Sequence, residues 1–180
     1  PAIALGVLVS ILLIGGNRDA DPPGVLPAFG TTAPTAGHAR PRNAEAYDIY
    51  LKSLAISSDP EPNRTAIAML ERASTIDPDH ADTWASLGRR YYDEGQYGAG
   101  GSEAFRRSEA ALRHALTLDP DHIPAAVELL VLQIDAGRLQ DGYDIARRLL
   151  ARRPDSGEGH FALSQVLRYG GLLADSARAC

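Results

Sequence analysis

The sequence predicts an all-α fold: a solenoid of about three and a half stacked helical hairpins, preceded by an apolar membrane helix and a Pro-rich linker. Three observations predict it. Asp-Pro-Asp-His at 77–80 returns at 119–122, and a weaker echo, Arg-Pro-Asp-Ser, lies at 153–156. The prolines of these phrases are 42 and 34 residues apart. The segments between them have the apolar periodicity of amphipathic helices, and self-similarity at such spacings is typical of stacked hairpins.

The first element, residues 1–16, carries no charged residue, and Ser10 is its one polar side chain. A membrane span needs about 20 apolar residues, so we interpret this segment as a transmembrane helix that lacks its start. A signal-peptide core and a buried helix stay open as alternatives. The chain starts at Pro1 and ends within a helical pattern, so we expect it to be a piece of a longer protein.

The second element, residues 17–43, holds five Pro and three Gly. This composition cannot bury a core, and it predicts an extended spacer between the membrane and a folded domain. The residues directly after the apolar segment, Asn-Arg-Asp-Ala-Asp, are not basic. Because cytoplasmic flanks tend to be basic, we expect a single-pass membrane protein whose folded region lies outside the cytoplasm.

The third element, residues 44–180, alternates helical patterns with short breaks rich in Gly, Pro and Asp. The residue before each proline disfavours the helical region, so Asp77, Asp119 and Arg153 should end helices. We expect the aspartates after the prolines, such as Asp79 and Asp121, to cap the next helices. The predicted helices are 44–57, 63–76, 80–94, 102–118, 122–136, 140–152, 157–169 and 173–180.

The residues within these helices match a known motif. Trp84, Leu87, Gly88 and Tyr91 reproduce the pattern W-x2-L-G-x2-Y, and the period of 34 between Pro120 and Pro154 agrees with it. Residues 44–180 therefore resemble the tetratricopeptide repeat. The resemblance implies hairpins at 44–77, 81–118 and 123–152 and a partial fourth from 157. It implies that the following residues pack the repeats together: Ala66, Leu70, Ala73, Pro78, Trp84, Leu87, Gly88, Tyr91, Leu112, Ala115, Pro120 and Pro154.

The order of segments carries a second resemblance. An apolar segment, a Pro-rich spacer and the phrase NAEAYDIYLKSLA before the repeats resemble the C-terminal region of bacterial membrane-anchored serine/threonine protein kinases of the tetratricopeptide type. The resemblance implies an accessory signalling region behind a kinase domain. Membrane-bound transcription regulators and adenylate cyclases with sensory repeats, and a stand-alone exported adaptor, stay open as alternatives.

The sequence contains no pattern that points to catalysis or to a cofactor. It has no H-R-D, D-F-G or G-K-[ST] motif, so we expect no enzyme in this chain. His80 and His122 have no second ligand at helical spacing, which favours solvated turn residues over a zinc site. The net charge of −5 argues against nucleic-acid binding. Arg147, Arg148, Arg152 and Arg153 gather at a helix C-terminus, where the helix dipole favours cations; binding of an anionic partner is the less favoured alternative.

The predicted function is protein–protein interaction. The first helices of stacked hairpins line a concave groove that typically holds a peptide or a partner helix. Self-association of the array stays open. Val127, Val131 and Ile134 have the alternative of packing against the next hairpin. The candidate groove residues are Asp48, Lys52, Asp82, Arg89, Tyr92, Val127, Val131, Ile134, Phe161, Gln165 and Arg168.

Overall fold

A computed structural model describes residues 42–179, and the predicted membrane segment and nearly all of the linker lie outside that range. The described residues form helices α1 (Ala44–Leu54), α2 (Pro60–Ile76), α3 (Ala81–Tyr97), α4 (Gly101–Leu118), α5 (Ile123–Asp135), α6 (Leu139–Arg152), α7 (Gly157–Tyr169) and α8 (Leu173–Ala179). Between Arg42 and Ala179, none of these helices is both long and apolar enough to cross a bilayer.

The helices pair into hairpins as predicted. Each odd-numbered helix packs against the even-numbered helix that follows it, and α2, α4 and α6 also pack against the first helix of the next hairpin. The first helices α3, α5 and α7 touch one another in turn. One hairpin cannot bury both of its faces, so stacking of neighbours produces the continuous core.

Most of the motif residues lie in that core. Ala66, Leu70, Ala73, Leu87, Tyr91, Leu112 and Ala115 are all at most 6% exposed. Trp84 is half-buried, and its indole Nε1 donates a hydrogen bond to the Pro78 carbonyl at 2.7 Å. His160 occupies the corresponding place in the last hairpin, with its Nε2 2.9 Å from the Pro154 carbonyl. The second and the last hairpin therefore share the contact between the turn proline carbonyl and the residue six positions later.

Gly88 lies directly opposite a large side chain of the facing helix. Its neighbour is the fully buried Leu112 of α4. A Cβ at Gly88 would lie 2.5 Å from Leu112 Cγ and 3.3 Å from the Leu112 backbone nitrogen. Glycine is needed here because a large side chain and the α4 backbone both approach α3 closely.

The helices after the Asp-Pro-Asp turns are not capped by the aspartates that we expected. The N-cap residues are His80, His122 and Ser156. The Ala125 N–H donates to His122 Nδ1 at 3.1 Å, and the Gly159 N–H donates to Ser156 Oγ at 3.0 Å. The histidines are also buried, which corrects the prediction that they are solvated.

The second hairpin has eight residues more than the third, because the prolines that bound them are 42 and 34 residues apart. These additional residues are helical. α3 and α4 have 17 and 18 residues, whereas α5 and α6 have 13 and 14, so each helix gains four. The glycines of the loop between α3 and α4 lie against Glu94. A Cβ at Gly98 would lie 2.5 Å from the Glu94 carboxylate carbon, and the Ala99 N–H donates to Glu94 Oε1 at 3.2 Å.

A buried arginine joins the first two hairpins. Arg90 on α3 is 8% exposed, and its guanidinium donates hydrogen bonds to the carbonyls of Ser53, Ile56 and Ser57 at 2.6–3.0 Å. These carbonyls lie at the C-terminal end of α1 and in the loop after it, where helix carbonyls lack partners. Asn63 Nδ2 in turn donates to the Arg90 carbonyl at 3.0 Å. Burial lowers the pKa of Arg90, although its charge suits the negative end of a helix dipole.

Candidate peptide-binding face

The first helices α1, α3, α5 and α7 together present what we call the first-helix face. On α1, Asp48 and Lys52 are exposed and form an ion pair at 2.7 Å across one helical turn. Leu51, which was not among the predicted groove residues, lies beside them and is 42% exposed. An exposed ion pair of this kind contributes little to stability, so both charged groups are available to a ligand.

On α3, Arg89 is committed to internal contacts. Its guanidinium lies 2.6 Å from Glu128 on α5 and 3.2 Å from Asp93. Burial alone would lower the pKa of Arg89, but the two carboxylates outweigh it and raise that pKa. Burial raises the pKa of Glu128, and Arg89 offsets part of that effect. Arg89 therefore links two hairpins and is not a free groove cation.

Tyr92 and Asp82 also link α3 to the third hairpin. The Tyr92 hydroxyl donates to the Asp135 carboxylate, which also accepts from Gln96 Nε2 at 3.1 Å. Burial and that hydrogen bond raise the pKa of Tyr92, so its phenol keeps its proton. Asp82 Oδ1 lies 3.0 Å from His122 Nε2. Because the Ala125 N–H already donates to His122 Nδ1, the Nε2 carries the proton and donates to Asp82.

On α5, two of the three apolar groove candidates are not accessible. Val127 and Ile134 are 8% and 9% exposed and belong to the main apolar core, whereas Val131 is half-buried. The groove prediction is therefore wrong for Val127 and Ile134. These two side chains pack between hairpins, the alternative given above, because α3, α4, α6 and α7 cover α5.

On α7, the candidates become more accessible toward the C-terminal end of the helix. Phe161 and Gln165 are half-buried, and Arg168 is exposed. The Arg168 guanidinium donates to Gln165 Oε1 and lies 5.4 Å from the centre of the Tyr169 ring. The half-buried and exposed candidates thus all lie on the first helices of the hairpins. That these residues bind a peptide stays a prediction.

The sequence reading missed Tyr97, the last residue of α3, whose side chain is 70% exposed. We expected α3 to end at 94, which placed Tyr97 in a loop. The apolar pattern at the end of α3 is weak because glycines and polar residues interrupt it. The sequence signal for a longer α3 is the spacing of the prolines: Pro78 and Pro120 are 42 residues apart, eight more than Pro120 and Pro154. Four of those additional residues extend α3 to Tyr97.

Metal chemistry finds no support in the part of the chain that the structure describes. Within residues 42–179, no group of three or more His, Cys, Asp and Glu side chains could hold a metal ion. The two histidines considered for such a site are held in place by hydrogen bonds to Thr83 and Asp82. His80 also lies edge-on to Tyr50, with ring centres 5.2 Å apart. Burial and the nearby Asp82 raise the pKa of Tyr50 to about 12.

Comparison with solved structures establishes the fold. The tetratricopeptide-repeat protein TTC0263 from Thermus thermophilus is 13% identical, with a TM-score of 0.63 over 74% of this chain and 70% of that one. A MamA fragment from Desulfovibrio magneticus RS-1 is 12% identical, with a TM-score of 0.57 over 75% and 70%. A further MamA structure, a double mutant, is 12% identical, with a TM-score of 0.56 over 76% and 72%.

The fold is that of a tetratricopeptide-repeat array. No protein-family model matches the chain, and no curated protein matches it. At 12–13% identity these structures establish the arrangement of the hairpins and leave the ligand open.

Proposed function

We propose that the chain is a non-catalytic protein-interaction module that binds an extended peptide or a partner helix on its first-helix face. The observation that carries the proposal is the pair of large apolar side chains left exposed on α1 and α3, Leu51 and Tyr97. Tyrosine is enriched among the residues that dominate the binding energy of protein interfaces, and an exposed leucine offers apolar area that a ligand can bury. The exposed ion pair of Asp48 and Lys52 lies next to Leu51 and would orient a charged ligand.

Internal cross-links between the hairpins support the same proposal. The contacts of Arg89 with Glu128 and of Tyr92 with Asp135 hold α3 against α5. A face that is fixed before binding loses less conformational entropy when a ligand docks. These cross-linking residues would give the face its rigidity, while the exposed residues around them would contact the ligand.

Peptide binding on this face can be tested with a random peptide library displayed on phage and selected against the 180-residue chain. We expect enriched peptides with micromolar affinity, and we expect that affinity to fall about tenfold in Leu51→Ala or Lys52→Glu. Arg106→Glu is the matched control, because Arg106 is an exposed arginine on the second helix of a hairpin. Enriched peptides that bind the Leu51 and Lys52 variants as well as the parent would contradict the proposal.

We also propose that residues 1–16 tether the array to a membrane and that residues 17–43 act as a spacer. The composition of the two segments supports this reading. In the larger protein, the array would be the accessory region of a bacterial signalling protein resembling a serine/threonine kinase. The alternatives are the sensory region of a membrane-bound transcription regulator or adenylate cyclase, and an exported adaptor.

The tether predicts how the chain fractionates when it is expressed in a bacterium. We expect the 180-residue chain to stay with the membrane pellet after alkaline extraction, and a variant lacking residues 1–16 to be released. A variant lacking residues 23–38 removes the same number of residues from the spacer and should stay in the pellet. Release of the full chain, or its recovery in a form cleaved after the apolar segment, would count against a tether.

A further inference from the structure

A cleft that none of the candidate groove residues lines lies where α4, α5 and α6 meet. Its volume is about 430 Å³, within the range of ligand-binding sites. Leu129, Ile145 and Leu149 form its floor and are 2–7% exposed. Leu116 and Pro120 form part of its wall. The cleft therefore has an apolar base enclosed by helices on three sides.

Three arginines surround this apolar base: Arg113 from α4 and Arg148 and Arg152 from α6. All three are exposed. Arg148 forms no ion pair with any residue between Arg42 and Ala179, whereas Arg113 pairs with Glu109 at 2.8 Å and Arg152 with Asp121 at 2.7 Å. The Arg152–Asp121 pair is exposed on both sides, so it contributes little and can exchange partners. Glu109 is 26% exposed and also pairs with Arg138 at 2.8 Å, so it keeps a cationic partner when Arg113 turns toward a ligand.

The charge of the cleft is opposite to that of the chain. The protein carries a net charge of −5, yet its described surface gathers three guanidinium groups around one apolar cleft. A helix dipole accounts for arginines at the end of α6, but not for Arg113, which comes from α4 and faces the same cleft. Guanidinium groups bind carboxylates in bidentate geometry, so the cleft is complementary to a ligand with both carboxylates and apolar groups.

We propose that this cleft binds an acidic segment of a partner protein, independently of the first-helix face. An apolar side chain of the segment rests on Leu129 and Leu149, one carboxylate binds Arg148, and others replace Glu109 or Asp121 on Arg113 and Arg152. The bound segment lies between the second helices of two adjacent hairpins, and salt weakens its binding because the arginines are exposed.

The cleft fits a peptide better than it fits a membrane or a nucleic acid. A protein that rests on a bilayer inserts large apolar side chains beside its basic residues. The large exposed apolar residues in the described range are Leu51, Tyr97, Tyr169 and Leu172, and none of them lines the cleft. Nucleic acids need many phosphate contacts from a basic surface, and three arginines in an acidic chain do not supply one.

The test is fluorescence anisotropy of a labelled peptide of about twelve residues, in which leucines alternate with glutamates, titrated with the full chain. We expect saturable micromolar binding that weakens with added salt, and at least fivefold weaker binding when glutamine replaces every glutamate in the peptide. Arg148→Glu should weaken binding at least tenfold. Thr117→Trp should abolish it, because Thr117 is an exposed cleft residue on α4 that can take a bulky side chain without disturbing the core.

Two matched variants locate the binding. Arg106→Glu makes the same charge change as Arg148→Glu at an exposed position of α4 outside the cleft, and Lys52→Glu makes nearly the same change on the first-helix face; both variants should bind like the parent chain. Equal binding by the Arg148 and Thr117 variants, or no saturable binding at millimolar protein, overturns the proposal. Binding to vesicles of phosphatidylglycerol that Arg148→Glu weakens, without binding to the peptide, also overturns it, since the ligand of the cleft would then be a lipid surface.

Discussion

Replacing Arg90 by methionine is expected to lower the free energy of unfolding by about 1.5–3 kcal/mol, the range for hydrogen bonds that involve a charged group. Methionine fills much of the same space but donates no hydrogen bond, so the Ile56 carbonyl loses its donor and the Ser53 carbonyl keeps only the Ile56 N–H at 3.3 Å. Thermal unfolding checks the prediction: a chain of this size loses about 2–4 °C in Tm for each kcal/mol.

The same substitution should act locally, because each hairpin of a repeat array depends mainly on its neighbours. Hydrogen exchange should become faster in α1 and remain unchanged in α6. Arg106→Met is the matched control, since Arg106 is exposed and should lose at most a few tenths of a kcal/mol. If exchange rises equally in every helix, Arg90 is not the specific link between the first two hairpins.

Replacing Gly88 by valine is expected to lower the free energy of unfolding by about 3 kcal/mol, the upper end of the range for overpacking. The new Cβ would lie 2.5 Å from Leu112 Cγ, and Leu112 is fully buried and cannot turn toward solvent. The α3 and α4 helices must therefore separate. Chemical denaturation monitored by circular dichroism measures the change.

Two comparisons decide whether the close contact is the cause. Gly142→Ala should be neutral or stabilising by up to about 1 kcal/mol, because its Cβ would meet its nearest neighbour at 3.5 Å and alanine favours helix, whereas Gly88→Ala should destabilise. Combining Gly88→Val with Leu112→Ala should cost less than the two changes added together. Additive losses would show that Gly88 and Leu112 do not compete for the same space.

The hairpins could be predicted from the sequence because their signals are local. Proline and aspartate at the turns, and apolar residues at helical spacing, depend on neighbours a few positions away. The error at the start of α2 is also local: we expected it at 63, but Pro60 is tolerated in the first turn, where its missing N–H has no helical partner.

The roles of Arg90 and Glu94 could not be predicted, because their partners are distant or belong to the backbone. Arg90 binds carbonyls 33 to 37 positions earlier. Because every residue has a backbone carbonyl, the sequence does not show which of them accept a hydrogen bond from a side chain. The glycines after α3 read as flexible because nothing in the sequence shows that Glu94 folds back against them. On the first-helix face, Val127 could equally contact a ligand or a neighbouring hairpin, and only packing decides.

The symmetrical lengthening of the second hairpin has a consequence for how such arrays evolve. Four residues add about 6 Å to a helix and slightly more than one turn, so both helices keep their buried sides in phase with the neighbouring hairpins. Eight additional residues that are shared equally between two helices therefore leave the buried side of each helix facing the neighbouring hairpins. One hairpin of such a repeat protein can thus become longer while the number of repeats stays constant. Tyr97 is the last residue of the lengthened α3 and therefore belongs to the added part of that hairpin.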